Sequence, residues 1–317
     1  MKRSGGVGNG YTTNSDDTDK YSGEKIYSAP VQVLNGAQTS ETGYLKEVVQ
    51  IDAMGGTGRG EKNRFGTSLA VTESKEVYGW GNSLYGALGV KSSIVSTPVR
   101  VGTDISNAVQ VAGGGKSGSD DWHVNSIGNT GYTYILKEDG TVSSLGYNVN
   151  GELGNGAKVS TTAVQEVSNL TEIMQVAGSK DGNFGAAVKK NGTIWTWGQN
   201  TYGQLGNGSS VNSMLPVQVK STDGNSFLTD VVQISAGYVH SMALKKDGTV
   251  LAWGRNDGGQ LGNNNTSNKS LPVQVKGGAS GSEYLTDVVQ VTAGNWHSMA
   301  LKANGTVYAW GWGQYGQ

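Results

Sequence analysis

The sequence predicts an all-β chain of five four-stranded antiparallel units, and three observations predict it. One aromatic-glycine phrase recurs five times, at "VYGWGNSLYGALGV", "VSSLGYNVNGELGNG", "IWTWGQNTYGQLGNG", "VLAWGRNDGGQLGNN" and "VYAWGWGQYGQ". Around it, four short apolar runs return in one fixed order, each β-branched or aromatic and bounded by Gly, Asn, Asp or Ser. No amphipathic stretch of normal helical length interrupts them. Four-stranded antiparallel sheets repeated radially make a β-propeller.

The first strand of each unit is "EVVQI" (47–51), "AVQVA" (108–112), "IMQVA" (173–177), "VVQIS" (231–235) or "VVQVT" (288–292). Its small residues and the Ala-Gly that follows make it innermost. The second strand is "TSLAV" (67–71), "YILK" (134–137), "AAVK" (186–189) or "SMALK" (241–245 and 298–302). Asp139-Gly140, Asn191-Gly192, Asp247-Gly248 and Asn304-Gly305 then predict tight two-residue hairpin turns, because these pairs reach positive φ cheaply. The first unit departs, with Glu73 and Ser74 there. The third strand carries Trp80, Leu145, Trp197, Trp253 or Trp310, and the repeated Trp is expected to wedge between adjacent sheets as architecture. The fourth strand holds all four prolines, Pro30, Pro98, Pro216 and Pro272. Proline donates nothing to a ladder, so this strand is the outer edge. Gln50, Gln110, Gln175, Gln233 and Gln290 share one position in the inner strands; ladder-supporting hydrogen bonds are the favoured role, a ring facing the channel the other.

The chain ends complement each other. The N-terminus supplies an outer strand near Pro30, and the C-terminus supplies strands one to three before stopping in the Gly-Gln phrase. The expected organisation is one propeller domain over 1–317: a closing segment 1–36, and blades at 45–101, 106–167, 171–219, 229–275 and 286–317 plus 30–34. The N-terminal outer strand is expected to close the last blade.

Composition narrows function. Of 317 residues, 51 are Gly and only 4 Pro, and 15% are charged, with net charge −1. No clustered Lys or Arg suits nucleic acid. No Cys is present, so disulfides and thiolate metal sites are excluded. No apolar run reaches the roughly 18 residues of a membrane span. "MKRSGGVGNG" has no apolar segment behind its basic residues, so no signal peptide is expected there. Because the last repeat stops mid-phrase at Gln317, an excised domain is expected. An extracellular or bacterial cell-surface placement within a larger protein is favoured, with a cytoplasmic one open.

"VVQVTAGNWHSMALKANGTVYAWGWGQYGQ" and "VVQISAGYVHSMALKKDGTVLAWGRNDGGQLG" resemble repeats of the regulator of chromosome condensation family. The resemblance covers nearly the whole chain. The family's best-known members have seven blades, so five is a departure. The resemblance implies binding, not a reaction; the nucleotide exchange and chromatin binding of the eukaryotic namesake are not carried over.

Candidate sites lie on loops, where a rigid scaffold places function. The one-to-two and three-to-four connections share one face. Two of the former are long: "AMGGTGRGEKNR" (53–64), with Arg59 and Arg64, and "GGGKSGSDDWHVNSIGNTG" (113–131), with Asp120, Asp121, Trp122 and His123. Trp is a frequent interface anchor; packing of Trp122 onto its own blade is the alternative. On the opposite face Tyr44, Phe227 and Tyr284 recur in the blade links, either capping the core or forming an aromatic rim around the axis. His240 and His297 share a structural slot before Ser-Met-Ala-Leu. "GGGKS" fails as a phosphate loop, since Gln110 stands where a Gly is needed. "SDDTD" (15–19) lacks the Gly and distal Glu of a calcium loop. No catalytic constellation, metal or cofactor is expected. The expected function is a non-enzymatic scaffold binding a macromolecule through one face, a protein first, as a monomer or part of a larger chain. A glycan-binding lectin and a structural repeat of a surface protein stand beside it.

Overall fold

The computed structural model describes residues 32–37, 43–55, 66–115, 130–278 and 283–313. The first sheet holds β1 (Val48–Gly55), β2 (Gly66–Thr72), β3 (Val77–Asn82) and β4 (Ile94–Arg100). The second holds β5 (Ala108–Gly114), β6 (Tyr132–Lys137), β7 (Val142–Gly146) and β8 (Thr161–Glu166). The third holds β9 (Ile173–Gly178), β10 (Phe184–Lys189), β11 (Ile194–Gly198) and β12 (Ser213–Gln218). The fourth holds β13 (Val231–Ala236), β14 (His240–Lys245), β15 (Val250–Gly254) and β16 (Lys269–Gln274), and the fifth β17 (Val288–Ala293), β18 (His297–Lys302) and β19 (Val307–Gly311). Each sheet pairs antiparallel in chain order, so the strands after the Trp phrase are outermost, as the prolines demand. Pro30 lies outside the described residues.

The hairpin turns differ from the two-residue expectation. Lys137 N donates to Thr141 O at 3.0 Å, and Gly140 N to Lys137 O at 2.9 Å, so three residues form the loop. Only the glycine is left-handed, at φ +76° in Gly140 and +79° in Gly192. This is a type I turn ending in a glycine bulge, and the preceding Asp139 or Asn191 instead braces it by accepting from Thr141 N or Thr193 N. The first blade makes the same turn with Lys75 at φ +61°.

Burial between blades holds the fold. Four core clusters each straddle two successive sheets: Leu69 with Val111 and Leu145, Tyr134 with Val176 and Trp197, Val188 with Ile234 and Trp253, and Leu244 with Val291 and Ala300. The inner-strand glutamines tie the same junctions. Gln175 Nε2 donates to Ile234 O at 3.1 Å, and its Oε1 accepts from Ile234 N at 2.9 Å. Gln50 does this to Val111, Gln110 to Val176 and Gln233 to Val291. The glutamines therefore rivet blade to blade. The repeated Trp reaches the same way: Trp197, Trp253 and Trp310 Nε1 donate to Glu152, Gln204 and Gln260 O of the preceding blade.

The expected clasp is not among the observed pairings. The fifth sheet has three strands, and β19 pairs only with β18 among the described residues. Leu34 instead bridges Tyr44, and Ala37 N donates to Pro98 O at 2.8 Å, which sets this segment beside the first blade's outer strand. Ile51 is 72% exposed where its counterpart Val291 is 1% exposed. Trp80 Nε1 is buried without the preceding-blade carbonyl its repeats enjoy. The same glutamine bridge recurs at each of the four observed junctions.

Candidate functional site

The face carrying the one-to-two and three-to-four connections is built by buried asparagines. Asn200, fully buried, accepts from Leu205 N at 2.9 Å and donates to Ser209 O at 3.0 Å and Val211 O at 3.1 Å. Asn148 and Asn256 repeat this arrangement. One amide thus satisfies several backbone groups of an otherwise irregular loop. Just before each such loop, a left-handed glycine turns the chain: Gly254, at φ +104°, lets Arg255 N donate to Val239 O at 2.9 Å.

These loops stack aromatic and cationic groups across blade junctions. Arg255 lies between Tyr202 of the preceding blade, 4.8 Å from its ring centroid, and Trp296 of the next, at 4.5 Å. Asp257 fixes the guanidinium from the side, with Nε donating at 2.8 Å. Trp296 meets Tyr238 edge-on at 5.1 Å and Trp312 at 5.8 Å. Tyr85 and Tyr147 meet edge-on at 5.0 Å across the first junction, in the register of Tyr202 and Arg255. Arg255 and Trp296 are half-buried, and Trp312 is exposed. Held guanidinium and rigid rings bind at little conformational cost.

One loop of the third blade, at residues 179–183, reaches the other blades. Lys180 Nζ donates to Asp52 Oδ1 of the first blade at 2.7 Å, and Lys180 N donates to Ala236 O of the fourth at 3.2 Å. Ser179 Oγ donates to Gly237 O at 2.6 Å, Asn183 accepts from Thr130 of the second blade at 3.0 Å, and Asp181 accepts from Asn295 of the fifth at 3.2 Å. Through these bonds the loop at residues 179–183 ties the third blade to the other four.

Of the residues singled out in the sequence, Arg59, Arg64, Asp120, Asp121, Trp122 and His123 lie outside the described residues. Tyr44, Phe227 and Tyr284 are exposed and bridge Leu34, Lys220 and Lys276. Lys220 and Lys276 follow the outer strands β12 and β16, and Lys276 Nζ sits 3.9 Å over the Tyr284 ring. His240 is fully buried and paired through Nε2 with Ser298 Oγ at 3.0 Å. Burial lowers its pKa to about 3. His297 occupies the same register, less buried. Tyr202, Arg255, Trp296 and Trp312 were missed, because they sit inside or beside the phrase read as architecture. For Arg255 and Trp312 the signal is variation: the residue after the third-strand glycine is Asn82, Tyr147, Gln199, Arg255 or Trp312, in a phrase otherwise repeated.

A second feature is Glu152, fully buried where other repeats carry Gln204 and Gln260. It accepts from Asn150 N at 2.8 Å and Asn150 Nδ2 at 2.7 Å. Burial raises its pKa to about 7. Among the described residues no group of three His, Asp or Glu side chains is placed to hold a metal, and no helix is long and apolar enough to cross a membrane.

The family profile described as the regulator of chromosome condensation (RCC1) repeat matches residues 75–117, 191–244 and 247–301. A second RCC1 repeat profile matches 231–260 and 288–317. The ultraviolet-B receptor UVR8 of Arabidopsis thaliana is 30% identical over 254 residues, 78% of this chain and 52% of that protein. The E3 ubiquitin-protein ligase HERC2 of Homo sapiens is 31% identical over 235 residues, 74% of this chain but 4% of the ligase. The chain thus spans about half the length of the plant receptor and a small part of the human ligase. Human WBSCR16 superposes with a TM-score of 0.65 at 19% identity, covering 84% of this chain and 62% of its own. Prp20p from Saccharomyces cerevisiae, solved in a study of its binding to Gsp1p and histones, superposes with a TM-score of 0.61 at 24% identity, covering 78% and 56%. These relatives are eukaryotic.

Proposed function

The chain belongs to the regulator of chromosome condensation repeat family, and we propose that it is a non-enzymatic scaffold recognising a protein partner through the loop face. The carrying observation is the junction-spanning row of Tyr202, Arg255, Trp296, Tyr238 and Trp312. Trp, Tyr and Arg supply most binding energy at protein interfaces, and here Asp257 and neighbouring rings already order them. The strongly shifted titratable groups, Glu152 and His240, are buried in the scaffold rather than gathered at a cleft. The yeast relative's binding to Gsp1p and histones supports a protein as the class of partner. The sequence candidates Arg59, Arg64, Asp120, Asp121, Trp122 and His123 remain part of this proposal as expectations and lie outside the described residues.

The test is comparative capture. Native chain and an Arg255→Ala/Trp296→Ala variant of matched melting temperature are immobilised, and proteins retained only by the native chain are purified and titrated by calorimetry. A partner whose affinity falls at least tenfold with the variant supports the proposal. Equal retention by both overturns it. The Tyr and Trp rings make a sugar the rival ligand; saturable, sugar-competed binding on a glycan array would establish it instead.

A further inference from the structure

The first and fifth blades each expose apolar positions that the blades between them bury, and the two sets are opposite halves of one junction. Between the fourth and fifth blades, Met242, Leu244 and Val250 share a core with Leu285, Val288 and Val291. All six are buried. The fifth blade repeats the first three as Met299, Leu301 and Val307. There Met299 and Leu301 are half-buried and Val307 is 56% exposed. The first blade repeats the second three as Leu45, Val48 and Ile51. There Leu45 is half-buried, and Val48 and Ile51 are exposed.

Polar groups divide the same way. Each bridging glutamine reaches the residue that follows the next blade's glutamine, as Gln233 reaches Val291 and Gln175 reaches Ile234. Gln290 ends the series, exposed, with no side-chain hydrogen bond among the described residues. The residue that follows Gln50, and so fits its reach, is Ile51. Trp80 Nε1 is buried without a partner, where Trp197, Trp253 and Trp310 donate to a preceding blade. Leu45 N donates to Val33 O at 3.0 Å, just as Leu228 N donates to Val219 O and Leu285 N to Val275 O after an outer strand. Val33 therefore stands where the outer strand of a preceding blade would end. It is half-buried, while Val219 and Val275 are buried. Conversely, β19 pairs only with β18 among the described residues, so its outer edge lacks a strand.

We propose that a second copy of this chain joins these halves head to tail, with the fifth blade of one copy packing on the first blade of the next as one more junction of the kind already present four times. Continuity with those junctions selects the occupant. Whatever covers Leu45, Val48 and Ile51 must bring an apolar set in the register of Met242, Leu244 and Val250, and an amide for the Ile51 backbone. The fifth blade holds that set unspent in Met299, Leu301, Val307 and Gln290. Its β19 edge meets the chain at Val33, where an outer strand is on offer. Within one chain these halves are not joined among the described residues, so the mate is another copy. Such a contact is heterologous: every copy keeps one half of each kind, and the assembly extends or closes into a ring. The surface is separate from the loop face, so its failure leaves the function proposed above standing.

The test is sedimentation velocity on the full chain over a wide concentration range, with one variant for each half. The native chain is expected to associate reversibly. Ile51→Asp spoils only the first-blade half and Val307→Asp only the fifth-blade half, so each variant alone should be monomeric. Mixed, they should form a one-to-one complex and nothing larger, because one intact half of each kind remains. Both positions are exposed in the single chain, so the melting of dilute protein should not change. Gln290→Ala, the mildest substitution, should weaken self-association severalfold, and either Asp variant at least tenfold. A native chain that stays monomeric at every concentration overturns the proposal, whether or not the variants lower its melting temperature as closure within one chain would require. Self-association that survives in either Asp variant overturns it too, since that contact would join like faces. So does a mixture of the two variants that remains monomeric.

Discussion

Glu152→Gln separates the electrostatic cost of one buried carboxylate from the rest of the scaffold. Burial raises the Glu152 pKa from 4.5 to about 7. In the unfolded chain the carboxyl ionises near 4.5; in the folded chain it holds its proton to about 7. Between those values the folded state binds more protons, so stability falls as pH rises through the window and stays low above it. A shift of that size corresponds to about 3 kcal/mol. Gln is already the residue of this slot in two other repeats, where Gln204 Oε1 accepts from Tyr202 N at 2.9 Å and Gln260 Oε1 from Gly258 N at 2.8 Å. Their Nε2 atoms are buried without partners, so the substitution carries an offsetting cost of about 1 kcal/mol. The variant is expected to be about 2 kcal/mol more stable at pH 8 and about 1 kcal/mol less stable at pH 4.5. Urea unfolding of both proteins at the two pH values measures this. The sign reversal is the signature. A stability difference that does not change with pH would refute the assignment of the burden to a desolvated Glu152.

His240 works in the opposite direction. Its pKa is lowered to about 3, so the unfolded chain takes up the proton first, and stability drops as pH falls below 6.5. His240→Gln should flatten that acid limb by about 3 kcal/mol between pH 6.5 and 4, read from urea midpoints. Gln175→Leu strips both bonds from Ile234 and should cost about 2–3 kcal/mol, with faster hydrogen exchange at the Ile234 amide as the local readout. Gly254→Ala should cost more than about 3 kcal/mol or abolish folding, because φ is +104° and the new Cβ would lie 2.6 Å from Val239 O. Gly259→Ala, at φ +76° with nothing within 4 Å, should cost only about 1 kcal/mol by thermal melt.

Much of the fold was legible because its causes are local. Each Pro marks an outer strand since a missing N–H is tolerated only there, and Pro98, Pro216 and Pro272 sit on β4, β12 and β16. The hairpins were legible in place but not in type: Asp139-Gly140 announces a turn, while the loop length depends on how Lys137 and Thr141 meet. The site was less legible. Tyr202, Arg255 and Trp296 lie in three successive blades, and nothing within any one repeat says that their side chains stack. The long connections drew attention by their length, yet Trp122 and its neighbours fall outside the described residues.

By itself, the sequence determined the repeat, the strand order within each unit and the aromatic-glycine phrase that packs one unit on the next. These follow from side-chain periodicity, proline's missing donor and glycine's backbone freedom, all expressed within a few residues. Tertiary structure alone decided three things. Bulges left one valine or methionine per blade exposed, Val49, Val109, Met174, Val232 and Val289, because an extra residue shifts which side chain faces out. Junctions brought distant rings onto Arg255, because the blade-to-blade offset aligns loops far apart in the chain. And Ile51 is exposed where Val291, at the same repeat position, is buried, because burial of that position depends on which sheet packs over it, which no single repeat encodes.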